Sequence, residues 1–378
     1  MLKEVFISDT NCITPLGFDV DSNVDSILNG ISGIKRHERS DLMPQPFFAS
    51  IIEDASLDEA FSAISSETKY TRLEKMMILA LQPIVLKSGL GGSGRTGFIL
   101  STTKGNITSL KSSAENIEKA HLHDLANSIA GFFGIKAEPV VVSNACVSGI
   151  LAVSVAKRMI QGGMYDNAFI VAGDEISEFV LSGFNSFQAM SDGPCKPYSK
   201  FRNGVTLGEA AAAVLVTSDK GDASIQILGD GSVNDANHIS GPSRTGEGLF
   251  RSIKSAMTEA KVESAQIDFI SAHGTATPYN DEMEAIALNR LRLENVHVNS
   301  LKGFYGHTLG ASGLLETVIG LESVKKSKLF VSLGYDECGV SQPINVISEH
   351  QDKDIRYFLK TASGFGGCNT AVVFEKID

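Results

Sequence analysis

A single cysteine at the end of a predicted strand could act as a nucleophile in this chain. Cys146 lies in the segment Val140–Gly149, where an apolar run passes through small residues into a predicted helix. The unpaired N–H groups and positive dipole end of a helix favour the thiolate, which is the reactive form of cysteine. Because free cysteine is also often buried as a small core side chain, this segment alone leaves catalysis and packing both open.

Two later segments carry histidines where active sites are commonly built. His273 follows the apolar run Ile267–Ile270, which predicts a strand. His307 and Lys302 lie on a glycine-rich loop before a helix predicted from about Leu309 to Val324. Loops that follow strands often carry catalytic side chains. Two histidines and a strand-end cysteine in such positions therefore predict one shared active site.

Alternating strands and helices must position these side chains. Apolar, β-rich runs alternate with segments of helical periodicity, which predicts an α/β protein with a parallel or mixed sheet covered by helices. Four of the predicted strands are Thr96–Leu100, Pro139–Val142, Ala168–Ala172 and Ala212–Val216. A break near residues 218–222 predicts two units, 1–220 and 221–378. In each unit a strand, a loop of small residues and a helix carry a key residue, Cys146 in the first and His307 in the second.

Composition excludes several classes of protein. With 378 residues, of which 43% are hydrophobic and 20% charged, the chain can bury a large core. The net charge of -11 argues against a nucleic-acid partner, which needs a basic face. No apolar run reaches the ~18 to 20 residues of a membrane span, and the start lacks a signal-peptide pattern. Five cysteines without C-x-x-C spacing indicate neither a metal site nor a disulfide framework, which favours a cytoplasmic location.

The segments around Cys146, His273 and His307 resemble the active-site motifs of the β-ketoacyl-acyl carrier protein synthases. These are the elongating condensing enzymes of fatty acid and polyketide assembly. The resemblance extends over nearly the whole chain. Its other matching segments are Glu4–Gly17, Leu28–Ile34, Pro194–Gly204, Leu207–Ala210 and Gly364–Asn369. The resemblance implies the thiolase fold, with duplicated α/β halves in a five-layer αβαβα arrangement.

The resemblance also implies catalytic roles. Cys146 would carry the acyl chain, and the backbone N–H groups of Cys146 and Phe365 would form the oxyanion hole. His273 and His307 would donate hydrogen bonds to the enolate oxygen that forms when malonyl-carrier protein loses CO₂. Lys302 would supply positive potential and position His307. The reaction is a decarboxylative Claisen condensation.

Further matching residues have supporting or substrate-binding roles in the family. They are Asp281, Glu284, Thr275, Thr277, Gly364 and Gly366. Glu284 would be the buried partner of Lys302, although a merely structural ion pair is the alternative. The hydroxyl groups of Thr275 and Thr277 would contact pantetheine or malonyl, unless they only cap local turns. No cofactor or metal is implied, because the substrates arrive on the phosphopantetheine of an acyl carrier protein.

Departures from the family pattern bear on the substrate. Ser363 stands where an aromatic residue usually precedes Phe365 by two positions, which should enlarge or reshape the acyl entrance. The segment between about Gly33 and Arg95 is shorter than usual, where the family carries acyl-pocket and dimer elements. Cys368 replaces a usual threonine and is predicted to be a packing residue. We therefore expect an unusual acyl chain that is long, rigid or polyunsaturated.

The implied partners are an acyl carrier protein and a second synthase-like chain. The sequence leaves open a homodimer and a heterodimer with a catalytically silent subunit. Because carrier proteins are acidic, a local basic patch is expected, with candidates Lys69, Arg72, Lys75, Lys200 and Arg202. Two other functions stay open. A non-catalytic chain-length-factor-like subunit usually lacks the cysteine, and a degradative thiolase would carry a differently placed second cysteine.

Overall fold

A computed structural model describes residues 2–111, 117–236 and 241–377. Its strands are β1 (Phe6–Ile13), β2 (Ile34–His37), β3 (Phe47–Ser50), β4 (Thr96–Ser101), β5 (Val140–Val142), β6 (Asn167–Asp174), β7 (Leu207–Gly208), β8 (Ala210–Thr217), β9 (Ile225–Asn234), β10 (Phe269–Ser271), β11 (His297–Asn299), β12 (Lys328–Leu329), β13 (Asn345–Val346), β14 (Gln351–Asp352), β15 (Tyr357–Ser363) and β16 (Cys368–Lys376). Its α-helices are α1 (Val20–Leu28), α2 (Asp54–Ser62), α3 (Arg72–Ser88), α4 (Leu122–Phe132), α5 (Ser148–Gln161), α6 (Glu178–Ser186), α7 (Glu247–Ala260), α8 (Pro278–Arg290), α9 (Lys302–Tyr305) and α10 (Ser312–Lys325).

One strand pattern occurs twice in the large sheet. In the first half the order is β1-β8-β6-β4-β5, with two antiparallel pairs followed by two parallel pairs. In the second half β9-β16-β15-β10-β11 repeats both the order and the directions. The halves meet where β1 pairs with β9 in antiparallel orientation. The predicted α/β class and duplicated halves are therefore confirmed.

Helices form the middle and outer layers. Helices α5 and α10 pack against each other and contact strands of both halves, whereas α3 covers the first half and α7 the second. Every residue of α10 from Ser312 to Val324 is buried, as expected for a helix that is enclosed on all sides. Glycine permits the close approach of the two central helices, since a Cβ at Gly149 would lie 2.7 Å from the Gly310 carbonyl oxygen. This packing fixes the residues at the starts of α5 and α10 relative to each other.

Most predicted elements are present, with shifted ends. The four strands predicted in the first half correspond to β4, β5, β6 and β8. The strand predicted to begin at Ile267 instead begins at Phe269, because a capped 3-10 turn at Ser264–Gln266 takes up the chain before it. The last predicted helix starts as a 3-10 turn, Leu309–Ala311, before α10. Among the described residues no helix is long and apolar enough to cross a membrane.

Candidate active site

Cys146 lies on the tight turn between β5 and α5. The preceding residue, Ala145, has a φ of 45°, a left-handed conformation that costs a non-glycine residue about 1–2 kcal/mol. Strain of this kind tends to be concentrated at functional sites. The thiol is buried, and its Sγ lies 3.0 Å from Nε2 of His307. The turn therefore presents the thiol to a potential proton acceptor.

The resting site holds a neutral thiol rather than the expected thiolate. Burial, followed by the nearby Cys368, raises the pKa of Cys146 to about 12, while Lys302 acts in the opposite direction. The prediction that the helix end favours a thiolate is wrong for this state, because loss of solvation outweighs it. The pKa of His307 is held well below its usual value, first by burial and then by Lys302. His307 is therefore an uncharged base beside a protonated thiol.

This arrangement predicts the pH dependence of Cys146 alkylation. Because the thiol pKa is raised to about 12, the thiolate fraction should still be increasing at pH 9. We expect the rate constant for iodoacetamide labelling of Cys146, followed by peptide mass spectrometry, to rise continuously from pH 7 to pH 9. A pre-formed thiolate–imidazolium pair would instead give a rate constant that is flat across this range, which would contradict the neutral resting state.

His273 lies on the loop after β10 and faces His307. The two imidazole rings are 5.1 Å apart and nearly perpendicular. Nζ of Lys302 lies 3.4 Å from Nδ1 of His273 and also donates to the His273 carbonyl oxygen. Because an ammonium can only donate, Nδ1 must be the acceptor, which places the ring hydrogen on Nε2. The pKa of His273 is held well below its usual value by burial and by Lys302, so the imidazole is a neutral donor.

The predicted partner of Lys302 is wrong. Its ammonium pairs with Glu316 at 2.6 Å, whereas Glu284 does not contact it. Glu316 lies on the fully buried helix α10, whose packing against the loop brings the carboxylate to the lysine. Lys302 contacts His273 rather than His307, so the prediction that it positions His307 is corrected as well.

Glu284 instead holds the loop that carries His273. Its carboxylate accepts hydrogen bonds from the backbone N–H groups of His273 at 2.8 Å and Gly274 at 2.7 Å. It also accepts one from the hydroxyl of the fully buried Tyr198 at 3.0 Å. Burial raises the pKa of Glu284, while these N–H donors act to lower it. Its role in the structure is therefore to fix the histidine backbone.

Asp281 and the two threonines organise the next turn of the same loop. The Asp281 carboxylate accepts hydrogen bonds from the Thr275 N–H at 2.9 Å and the Tyr198 N–H at 2.8 Å. Burial, followed by the nearby Glu284, raises the pKa of Asp281 to about 7. Thr277 caps α8, and its hydroxyl lies 2.8 Å from that of Thr275. Both threonines also line the cavity, so capping and substrate contact are compatible.

The loop after β15 approaches the nucleophile closely. The backbone N–H of Phe365 is directed at the Cys146 thiol, where it acts to lower the thiol pKa against burial. A Cβ at Gly364 would lie 3.0 Å from the Cys146 nitrogen, so only glycine fits without a shift. Gly366 has a φ of 85°, which allows the loop to turn. The N–H groups of Cys146 and Phe365 thus lie on adjoining turns beside one sulfur atom.

These side chains open into a single cavity of about 290 Å³. Residues lining it include Cys146, His273, His307, Thr275, Thr277 and Phe365. The Phe365 ring stacks on Phe184 at 5.6 Å and packs edge-on against the exposed Phe187 at 5.5 Å. Ser363 also lines the cavity and donates a hydrogen bond to the Asn369 side chain. The site is a buried nucleophile and two neutral imidazoles beneath an aromatic entrance.

Two protein-family models match this chain. The β-ketoacyl synthase N-terminal domain matches residues 3–221, and the β-ketoacyl synthase C-terminal domain matches residues 225–336. The chain belongs to the β-ketoacyl synthase family. It is an enzyme of the acyltransferase class. The curated relatives carry names of synthases, so the degradative-thiolase and silent-subunit alternatives are not favoured.

Several known proteins align with this synthase over nearly its full length. The 3-oxoacyl-[acyl-carrier-protein] synthase 2 of Staphylococcus aureus (strain N315) is 26% identical over 411 aligned residues, covering 100% of this chain and 99% of the relative. A ketosynthase in complex with its chain length factor from Xenorhabdus doucetiae has a TM-score of 0.87 at 24% identity, covering 99% and 98% of the two chains. The ishigamide ketosynthase/chain length factor has a TM-score of 0.91 at 22% identity, with both chains fully covered. These likenesses confirm the predicted thiolase fold.

The basic candidates for carrier docking are already engaged in the synthase. Lys69, Lys75 and Lys200 each pair with a neighbouring carboxylate at 2.6 to 3.0 Å. Arg72 pairs with Asp54 and with a buried glutamate, and Arg202 donates to backbone carbonyl groups. Lys69 and Lys200 stay exposed in their surface ion pairs, which are weak, so the basic patch for carrier docking stays a prediction.

Sequence reasoning missed three polar residues behind the site. Glu316, Tyr198 and Lys360 are all buried and hydrogen-bonded or ion-paired to the elements that carry the histidines. A signal was present for two of them. Glu316 is an isolated acid within an apolar helix, and Lys360 interrupts an apolar strand. Ionisable residues in such settings are rarely buried without a partner.

Proposed function

We propose that the synthase transfers an acyl chain to Cys146 with His307 as the base. The proton of the thiol passes to Nε2 of His307 as sulfur attacks the thioester carbonyl, and His307 returns a proton to the departing carrier thiolate. The N–H groups of Cys146 and Phe365 stabilise the tetrahedral oxyanion. The observation that carries this proposal is the 3.0 Å contact between Sγ and Nε2 inside a cavity that also holds His273.

The second half-reaction uses both imidazoles as donors. The bond between the malonyl α-carbon and its carboxylate breaks, CO₂ leaves, and the electron pair forms an enolate. Nε2–H of His273 holds the enolate oxygen, and His307 joins it as a donor after exchange with solvent has moved its ring proton from Nδ1 to Nε2 between the half-reactions. The α-carbon then attacks the acyl carbon, and the Cys146 thiolate leaves and takes up one proton from solvent. Both histidine pKa values are held well below the usual value, and each neutral imidazole carries one ring N–H that can donate to the enolate oxygen.

We also propose the partners and setting of this reaction. An acyl carrier protein as substrate carrier is supported by the name of the Staphylococcus aureus relative, a 3-oxoacyl-[acyl-carrier-protein] synthase. A second synthase-like chain, identical or related, is supported by two structural neighbours that are described with a chain length factor. The boundary between residues 220 and 221, which falls between β8 and β9, is proposed to separate the duplicated halves. Cysteines without disulfide spacing support a cytoplasmic setting.

The acyl chain is proposed to be long, rigid or polyunsaturated. Ser363 lines the cavity in place of a bulky ring, and the aromatic rings of Phe184 and Phe365 form an apolar wall next to it. A panel of acyl-carrier substrates, compared by kcat/KM, tests this proposal. A preference for short saturated chains would contradict it.

No metal is required by this mechanism. The Cys146, His273 and His307 ligand atoms lie within 4.8 Å of one another, a spacing that a bound metal could also use. We propose that the N–H donors supply the oxyanion stabilisation, so an excess of EDTA should leave the rate of ketoacyl product formation unchanged. Loss of activity in EDTA, followed by recovery on adding zinc, would overturn the metal-free mechanism.

A further inference from the structure

A second buried lysine lies behind the active site. Lys360 is in the middle of β15, and its side chain shares the face of Phe358 and Ala362, which pack in the central core. It is fully buried, with no exposed surface. An ammonium in such a position is costly unless it is paired. A fully buried lysine among apolar neighbours therefore requires compensating contacts.

Every polar contact of Lys360 is with an acceptor. Its Nζ lies 3.2 Å from the Ser271 carbonyl oxygen, 3.4 Å from that of Ala272 and 2.6 Å from that of Thr361. It also lies 2.8 Å from Oε2 of Glu316. Burial lowers the pKa of Lys360 while Glu316 acts to raise it. A neutral amine would turn a lone pair toward one of these oxygens, so the contacts favour the ammonium. Ser271 is the last residue of β10, and Ala272 lies between it and His273.

Glu316 is shared between two lysines. Oε1 pairs with Lys302 at 2.6 Å, and Oε2 pairs with Lys360 at 2.8 Å. Burial acts to raise the pKa of Glu316, but the two ammonium groups lower it to about 2, so it is a fixed anion. One carboxylate cannot neutralise two ammonium groups. Glu316 is therefore divided between the two ammonium groups, and Glu284 faces them only from farther away, so Lys302 is incompletely neutralised by its contact partner in a dry interior, where charge acts over longer distances.

We propose that Lys360 is a positioning residue for the condensation: by holding Oε2 of Glu316, it leaves Lys302 incompletely neutralised and keeps the loop of His273 electropositive where the enolate forms. This inference rests on the proposed role of the histidines. Lys360 does not line the cavity and does not touch substrate. It acts through Glu316, through Lys302 and through the backbone at the end of β10.

Lys360 affects the pKa values of the two active-site histidines. For both His273 and His307, Lys360 adds to burial and Lys302 in lowering the pKa. The other charged groups that face this cluster are Glu316 from α10, Glu284 and Asp281 from α8, and Lys104 from the loop after β4, which also lowers the pKa of His307. Removing the Lys360 charge should therefore raise the histidine pKa values. As the pH falls, the two imidazoles would then become protonated at a higher pH than in the wild-type protein.

The test compares Lys360→Met with Lys360→Arg and with Lys157→Met. Lys157 is a matched control because it is also fully buried and ion-paired, to Asp230 and Glu259, but lies far along α5 from the cavity. Each protein is first acylated, then mixed with malonyl-carrier protein, and the single-turnover rate of ketoacyl formation is measured against pH. Wild type and Cys146→Ala are run in parallel to test the proposed function itself.

We expect Lys360→Met to slow condensation by about tenfold and to move the acidic limb of the pH profile upward by about one unit. Lys360→Arg should keep the wild-type limb, and Lys157→Met should lose thermal stability without moving it. If Lys360→Met does not fold, Lys360→Gln takes its place. If Lys360→Met lost the same fraction of its rate as Lys157→Met and the acidic limb of its pH profile did not move, Lys360 would have only a structural role. That result would overturn the proposal. Absence of product from wild type would instead overturn the proposed function, and this inference with it.

Discussion

Replacing Cys146 with alanine is expected to abolish ketoacyl product formation, with kcat falling by about 10⁴-fold or more. The reason is that the acyl chain then has no covalent attachment site, so the two-step reaction cannot begin. His307 and the N–H donors remain in place but have no nucleophile to act on. Steady-state turnover with an acyl-carrier substrate and malonyl-carrier protein, followed by product mass spectrometry, measures the loss.

The control for this prediction is Cys12→Ala. Cys12 is also a buried free cysteine, but it lies in β1 within the central core. We expect its replacement to leave turnover close to that of wild type, with only a loss of stability from the cavity that it leaves. Retention of substantial turnover in Cys146→Ala would show that another group carries the acyl chain.

His273→Ala is expected to separate the two half-reactions. Formation of the acyl adduct should continue, because the thiol is paired with His307 and not with His273. Condensation should fall by about 10²–10³-fold, the usual cost of losing one oxyanion donor. Rapid-quench kinetics with intact-protein mass spectrometry follows the acyl adduct and its disappearance in the same experiment.

Two further histidine variants serve as comparisons for His273→Ala. His307→Ala should slow both half-reactions, since His307 contacts the thiol and also faces the enolate position. His297→Ala, on β11 and partly exposed, should slow neither. If His273→Ala slowed acylation as strongly as condensation, the assignment of His273 to the second half-reaction alone would be wrong.

The sequence predicted which residues form the site but not which of their side chains contact each other. Cys146 follows β5 and His273 follows β10, which have seven strands between them in the large sheet, so the packing of the two halves through α5 and α10 brings their loops together. The partner of Lys302 depends on how the buried helix α10 rotates against the glycine-rich loop, which no local pattern encodes. The sequence indicated Glu284 on α8 as the partner, whereas the packing of α10 brings Glu316 to Lys302.

The protonation state of the thiol could not be predicted either. A helix N-terminus is visible in the sequence and favours a thiolate. The burial that raises the Cys146 pKa arises only when the two halves close around α5 and the Phe365 loop. Local signals therefore located the residues, whereas their electrostatics came from tertiary packing.

The central claim is tested most directly by the mass of the wild-type protein through one cycle. The protein is incubated with an acyl-carrier substrate, digested and mapped, and a second portion is mixed with malonyl-carrier protein. We predict a single acyl adduct on the Cys146 peptide, which disappears as a ketoacyl product two carbons longer than the adduct is released. An adduct on Cys368, or no adduct together with no release of CO₂ from malonyl-carrier protein, would contradict the account.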